Sequence, residues 1–127
     1  MAIRLRYGLS LFFIIFTFLG CFESKPIVSK SSIVIFKTPS LKFYDKGFIT
    51  KYNNKINLQV YSAGQVGLDL TIYKDQVCQS RFECIDGKEF NTKYLSANYS
   101  EDFLYNLFMQ DKIYFKDKKN KILIKVK

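Results

Sequence analysis

Between Lys55 and Tyr73 the chain reads KINLQVYSAGQVGLDLTIY, and that alternation limits the fold more than any other feature. Ile56, Leu58 and Val60 alternate with Asn57, Gln59 and Tyr61. After Ser-Ala-Gly-Gln, Val66, Leu68, Leu70 and Ile72 alternate with Gly67, Asp69, Thr71 and Tyr73. A strand sends successive side chains to opposite faces, so period two along both arms predicts two half-buried antiparallel strands joined at Gly64. One face of this hairpin belongs to a core. Tyr61 and Tyr73 are expected on the other face, where tyrosines serve as recognition anchors or pack beneath a loop.

The flanking segments extend the pattern. SIVIFK (32–37) is β-branched and aromatic and stops short of Pro39. LKFYDKGFITKY (41–52) sets Asp45, Lys46 and Gly47 between two apolar pieces, a hairpin signal. KIYFKDKKNKILIKVK (112–127) reads as a hairpin turning at Lys118, Lys119 and Asn120, with Ile122, Ile124 and Val126 inward. Residues 86–109 change period. Asp86 stands three before Glu89 in the manner of a capping box, and Phe90, Tyr94 and Leu95 follow at helical spacing. Ser100, Glu101 and Asp102 then precede an apolar stripe of Phe103, Leu104, Leu107 and Phe108. About seven short strands with frequent turns predict a mainly β fold, an immunoglobulin-like β-sandwich with a short helical insertion near 86–109. The chain has no Trp and its cysteine pair is local, so the expected sandwich is a variant of the antibody type.

The N-terminus carries an address. Arg4 and Arg6 precede an apolar run, Leu9 to Leu19, interrupted only by Ser10 and Thr17. Spanning a membrane takes about 20 apolar residues, so this run reads as a secretory signal instead. Phe18-Leu19-Gly20-Cys21 resembles a bacterial lipoprotein lipobox, although Phe18 and Leu19 depart from the usual Leu and small residue. The resemblance implies cleavage before Cys21, diacylation of its thiol and acylation of the new amine. It divides the chain into a signal (1–20), a lipidated tether (21–31) and a β domain (32–127). It also implies an outer-membrane protein whose membrane partner is reached through the lipid. Several acyl chains, at about 0.8 kcal/mol per buried CH₂, hold a protein on a bilayer where one chain is marginal.

Lipidating Cys21 leaves Cys78 and Cys84, with five residues between them in CQSRFEC, and an oxidising compartment lets them close a small ring. A redox pair would prefer C-x-x-C, and a metal site would need a second ligand pair. No metal and no cofactor are expected. The block CQSRFECIDGKEFNTKYLS, with the lipobox and Lys/Phe/Tyr-rich strands, is similar to small surface-associated lipoproteins of ε-proteobacteria. One group of these has a variant immunoglobulin fold linked to adherence. The resemblance implies fold and address, and carries over no functional residue.

The chain contains no histidine, so the commonest general base and the Ser-His and Cys-His sites are missing. No glycine-rich phosphate loop occurs, and the carboxylates fall mostly in turns and caps. A non-enzymatic protein is expected. Formal charge is +9, and nearly all of it is lysine. Lys118, Lys119 and Lys121 crown the C-terminal hairpin. They either discourage strand-to-strand aggregation or attract an acidic glycan, lipopolysaccharide or protein partner. No nucleic-acid motif accompanies the charge, so nucleic acid is not an expected partner. The function expected is non-catalytic binding by a lipid-anchored envelope protein, in adhesion or surface interaction. The alternative is a periplasm-facing accessory subunit of an envelope assembly.

Overall fold

The alternation in the central hairpin becomes a partition between core and solvent. In the computed structural model, which describes residues 25–80 and 83–127, β3 (Ile56–Ser62) and β4 (Gln65–Ile72) bury Ile56, Leu58, Val60, Leu68, Leu70 and Ile72. Ser62 pairs with Gln65, leaving Ala63 and Gly64 as a two-residue turn with φ of 53° and 79°. Positive φ at both central positions marks the type I′ hairpin turn, whose twist matches that of the strands. Val66 departs from the expected inward phase. Val60 pairs with Leu68 but Tyr61 pairs with Val66, so one extra residue, Gly67, bulges from β4. The bulge reverses the facing of everything between it and the turn. Val66 is therefore exposed, opposite Tyr61.

Six strands run as a meander. β1 (Val28–Lys37), β2 (Lys42–Lys51), β3, β4, β5 (Gln76–Gln79) and β6 (Glu83–Asp86) each pair antiparallel with the next. Two helices follow, α1 (Gly87–Tyr94) and α2 (Phe103–Met109), and then the hairpin β7 (Tyr114–Asp117) and β8 (Ile122–Val126). β8 returns to pair with the C-terminal half of β1. All eight strands thus form one sheet, ordered β6-β5-β4-β3-β2-β1-β8-β7, rather than the two bonded sheets of an immunoglobulin-like sandwich. The mainly β class holds, with both helices inside the expected window. The helices supply what a second sheet would supply in a sandwich: Phe90, Leu95, Leu104, Leu107 and Phe108 join one core with the inward residues of β1 to β5 and β8.

The segment 41–52 is a single strand, not a hairpin about Asp45, Lys46 and Gly47. β1 offers it a partner along all ten residues, from Lys37↔Lys42 to Val28↔Lys51. Gly47 is there for closeness: a Cβ would lie 2.6 Å from the Gln59 carbonyl oxygen and 2.8 Å from Val34 Cγ2. The real turn lies earlier, where Thr38 Oγ1 accepts hydrogen bonds from the amides of Ser40 (3.3 Å) and Leu41 (2.9 Å). β1 also begins at Val28, so part of the expected tether is strand. The signal (1–20) and Cys21 lie outside the described residues. Among the described residues no helix is long and apolar enough to cross a membrane.

Local signals at the helices behave unevenly. Asp86 caps α1 as expected, its carboxylate accepting from the Glu89 amide at 2.7 Å. Asp102 stands at the N-cap of α2 but makes no side-chain bond to the helix, and Ser100 Oγ donates to its carboxylate at 3.0 Å. Buried Asn91 ties the helices together by donating Nδ2–H to the carbonyl of Ser100 at 2.7 Å.

Candidate functional site

The face of the sheet turned away from the helices is set by pairing register, because directly opposed residues in antiparallel strands point the same way. On the β7-β8-β1-β2 side, one row runs Tyr114, Lys125, Ile35, Tyr44. The next row runs Lys116, Leu123, Lys37, Lys42. With strands about 4.8 Å apart, each row spans about 14 Å. Lys46 follows on the same side of β2, and Lys127 reaches the same face beside Tyr44. These positions hold six lysines, Lys37, Lys42, Lys46, Lys116, Lys125 and Lys127, and no acidic side chain.

The lysines and tyrosines hold one another in place. Lys37 and Lys127 each bring Nζ to 5.9 Å from the ring centre of Tyr44, and Lys125 lies 5.8 Å from that of Tyr114. At this reach an ammonium gains a modest attraction from the ring, about 0.5–1 kcal/mol at an exposed site. Ile35 is buried although it faces outward, as expected where long lysine stems cover apolar surface and keep their charges in water. Tyr44 and Tyr114 remain about half exposed, at 59% and 49%. The result is a cationic surface with aromatic rings available to a partner.

Of the residues expected to bind, Lys118, Lys119 and Lys121 are exposed at the tip of β7–β8. That tip lies at the same end of the sheet as Lys37, Lys42 and Lys116, so it extends the cationic face. Asp117 shapes the turn by accepting from the Asn120 amide (3.2 Å) and Asn120 Nδ2 (2.7 Å). The Tyr99 hydroxyl also donates to Asp117. The Tyr99 and Asn120 bonds hold the Asp117 carboxyl below its usual range. Burial, helped by the adjacent carboxylate, pushes the Tyr99 hydroxyl up to about 12. Tyr99 is further packed against Phe103 and Phe115, with centroids 4.6 Å and 5.6 Å away. The tip lysines therefore project from a fixed turn.

Tyr61 and Tyr73 are not brought together. Tyr61 sits near the turn end of the central hairpin, half-buried edge-on against Phe48 at 5.6 Å between centroids. It lines a shallow hollow with Lys46 and Ser31. Tyr73 follows the far end of β4, beside Tyr105 and Asn53. The seven residue-to-residue steps from Val66, the partner of Tyr61, to Tyr73 separate them by about 23 Å along the strand. Cys78 and Cys84 are opposed across β5–β6 and joined by a disulfide, which clamps the hairpin leading into α1.

Tyr44, Lys37, Lys42 and Lys46 were not candidates from the sequence. Reading 41–52 as a hairpin hid the alternation of Lys42, Tyr44, Lys46 and Phe48, which is the signal that would have placed them on one face. Among the described residues no cluster of three or more His, Cys, Asp or Glu could hold a metal ion. Compared with known proteins, the chain matches no family model, no curated relative and no solved structure.

Proposed function

We propose that this protein is a lipid-anchored envelope protein that works by binding rather than catalysis, presenting its lysine–tyrosine sheet face to an acidic glycan in adhesion or surface interaction. The observation that carries this is the six-lysine face without an acidic side chain, interleaved with half-exposed Tyr44 and Tyr114. Lysines supply long-range attraction to carboxylate, sulfate or phosphate groups, and tyrosine rings supply flat contact area for sugar rings. Anchorage through Cys21 and kinship with ε-proteobacterial surface lipoproteins belong to the same proposal. They rest on Phe18-Leu19-Gly20-Cys21 and on the block from Cys78 to Ser96.

Binding to immobilised heparin, as a sulfated glycan probe, tests the face. Changing Lys37, Lys42 and Lys116 to Gln should weaken binding about tenfold at low salt and flatten its salt dependence, since screened surface charge supplies the attraction. Changing Lys118, Lys119 and Lys121 to Gln should have a smaller effect, because those lysines edge the face rather than forming it. Binding that ignores both salt and the face substitutions would overturn the reading. Mass spectrometry of the native protein should find acyl chains on Cys21, and a mature form beginning elsewhere without lipid would remove the anchor.

A further inference from the structure

β1 is longer than the strand that covers it. β8 pairs only with Val34–Lys37, and the last ladder bond runs from the Lys127 amide to the Ile33 carbonyl at 3.0 Å. Backbone groups alternate in direction along a strand, so the N–H and C=O of Ser31 and Ser29 point toward the same edge as that carbonyl. Among the described residues no strand pairs with this edge beyond Ile33. The inner side of the open stretch is not filled either. A cavity of about 430 Å³ lies there, lined by Ile49, Met109, Ile113 and Val126 together with Lys30, Lys51 and Asp111. Ile27 and Val28 beside it are 63% and 47% exposed. Ser32, 8% exposed, keeps a buried Oγ without a hydrogen-bond partner.

We infer that the Val28–Ile33 edge of β1 is a docking site for an extended peptide of a partner protein, which adds as a strand in line with β8. Main-chain bonds to Ser29 and Ser31 give the attachment, and the inward side chains give the selectivity. The register follows from β8. A strand antiparallel to β1 that begins beyond Lys127 places alternate side chains opposite Lys30 and then Val28. An acid opposite Lys30 pairs with its ammonium, and an apolar residue opposite Val28 enters the cavity. The partner segment thus reads Glu-x-Leu. The charge at Lys30 favours such a segment over a second copy of this chain centred on that residue, which would set two lysines face to face. This site is separate from the lysine–tyrosine face and does not depend on it.

The test uses the purified full chain and a peptide carrying fluorescein at its C-terminus, Val-Glu-Thr-Leu. Added peptide should slow amide hydrogen exchange at Ser29 and Ser31. Ser31→Pro should weaken binding about tenfold, the loss of one hydrogen bond. It leaves the β1–β2 ladder intact, because the Ser31 amide points away from β2, and an unchanged far-UV spectrum checks this. Ser31→Ala, which keeps the amide, should bind like the parent. Lys30→Glu should weaken this peptide and favour the version with Lys in place of Glu. Peptide that gives no protection, or binds Ser31→Pro as tightly as Ser31→Ala, would overturn the inference. So would concentration-dependent dimerisation that itself protects Ser29 and Ser31, which would assign the edge to a second copy.

Discussion

A methyl group added at Gly87 would run into the backbone carbonyl of Glu101. The first residue of α1 is therefore packed against the loop that leads into α2, and its amide donates to the Asp75 carbonyl at 2.9 Å. Neither backbone can retreat without opening the core, so Gly87→Ala should cost about 3 kcal/mol, measured by urea unfolding. Tyr99 and Asp117 make a second residue-scale prediction through pH. Tyr99 titrates near 12 in the folded state against 10.0 ordinarily, so the fold favours its protonated form. Its contribution is full below pH about 10 and is lost as pH rises toward 12. The Asp117 pKa is lowered, so its contribution is present above its ordinary value of 3.8 and disappears as acid protonates it. Tyr99→Phe should remove the tyrosinate absorbance step near pH 12 and flatten stability between pH 10 and 12.

At the scale of elements, each hairpin depends on the chemistry of its turn. The β3–β4 turn suits Gly64 but places Ala63 at φ 53°, where an L side chain with no polar group is strained. Asn-Gly is the preferred pair for this turn, so Ala63→Asn should stabilise the protein by about 0.5–1 kcal/mol in thermal or urea unfolding. Ala63 is exposed, so the longer side chain extends into solvent. Lys121 is in the same left-handed region, with φ 57°, at the end of the lysine turn that Asp117 organises. That turn thus combines local strain with a fixed scaffold, and its charges are presented in one arrangement.

At the scale of the molecule, the sheet is held together across its longest sequence separation by β8 on β1. Ile124 lies at that junction, fully buried and paired with both Phe36 and Phe115. Ile124→Ala should cost about 3 kcal/mol, in the range for a truncated aliphatic core residue. Because the strands and helices share one core, the loss should appear as a single shifted transition. Unfolding curves by tyrosine fluorescence and far-UV circular dichroism should move together; curves that separate would mean the C-terminal hairpin frays alone.

By itself the amino-acid sequence determined what depends on neighbours along the chain. The alternation in 55–73 outside the Gly67 bulge, the Asp86 cap, the inward Ile122 and Ile124, and the turn at Lys118–Asn120 all follow from spacing of a few residues. The cysteine pair was legible for the same reason. What the tertiary structure decided is which strand lies beside which. Asp45-Lys46-Gly47 has the composition of a turn, yet it runs straight because β1 supplies ten partners and Gly47 admits the close approach of Val34. Eight strands could have split into two sheets, but α1 and α2 cover the apolar face, so the strands remain in one. The lysine–tyrosine face exists only through that order, since Tyr114, Lys125 and Tyr44 become neighbours when β8 returns to β1. Contacts between residues some 70 to 90 positions apart leave no periodic mark in the sequence, because their energy is realised only when the core closes.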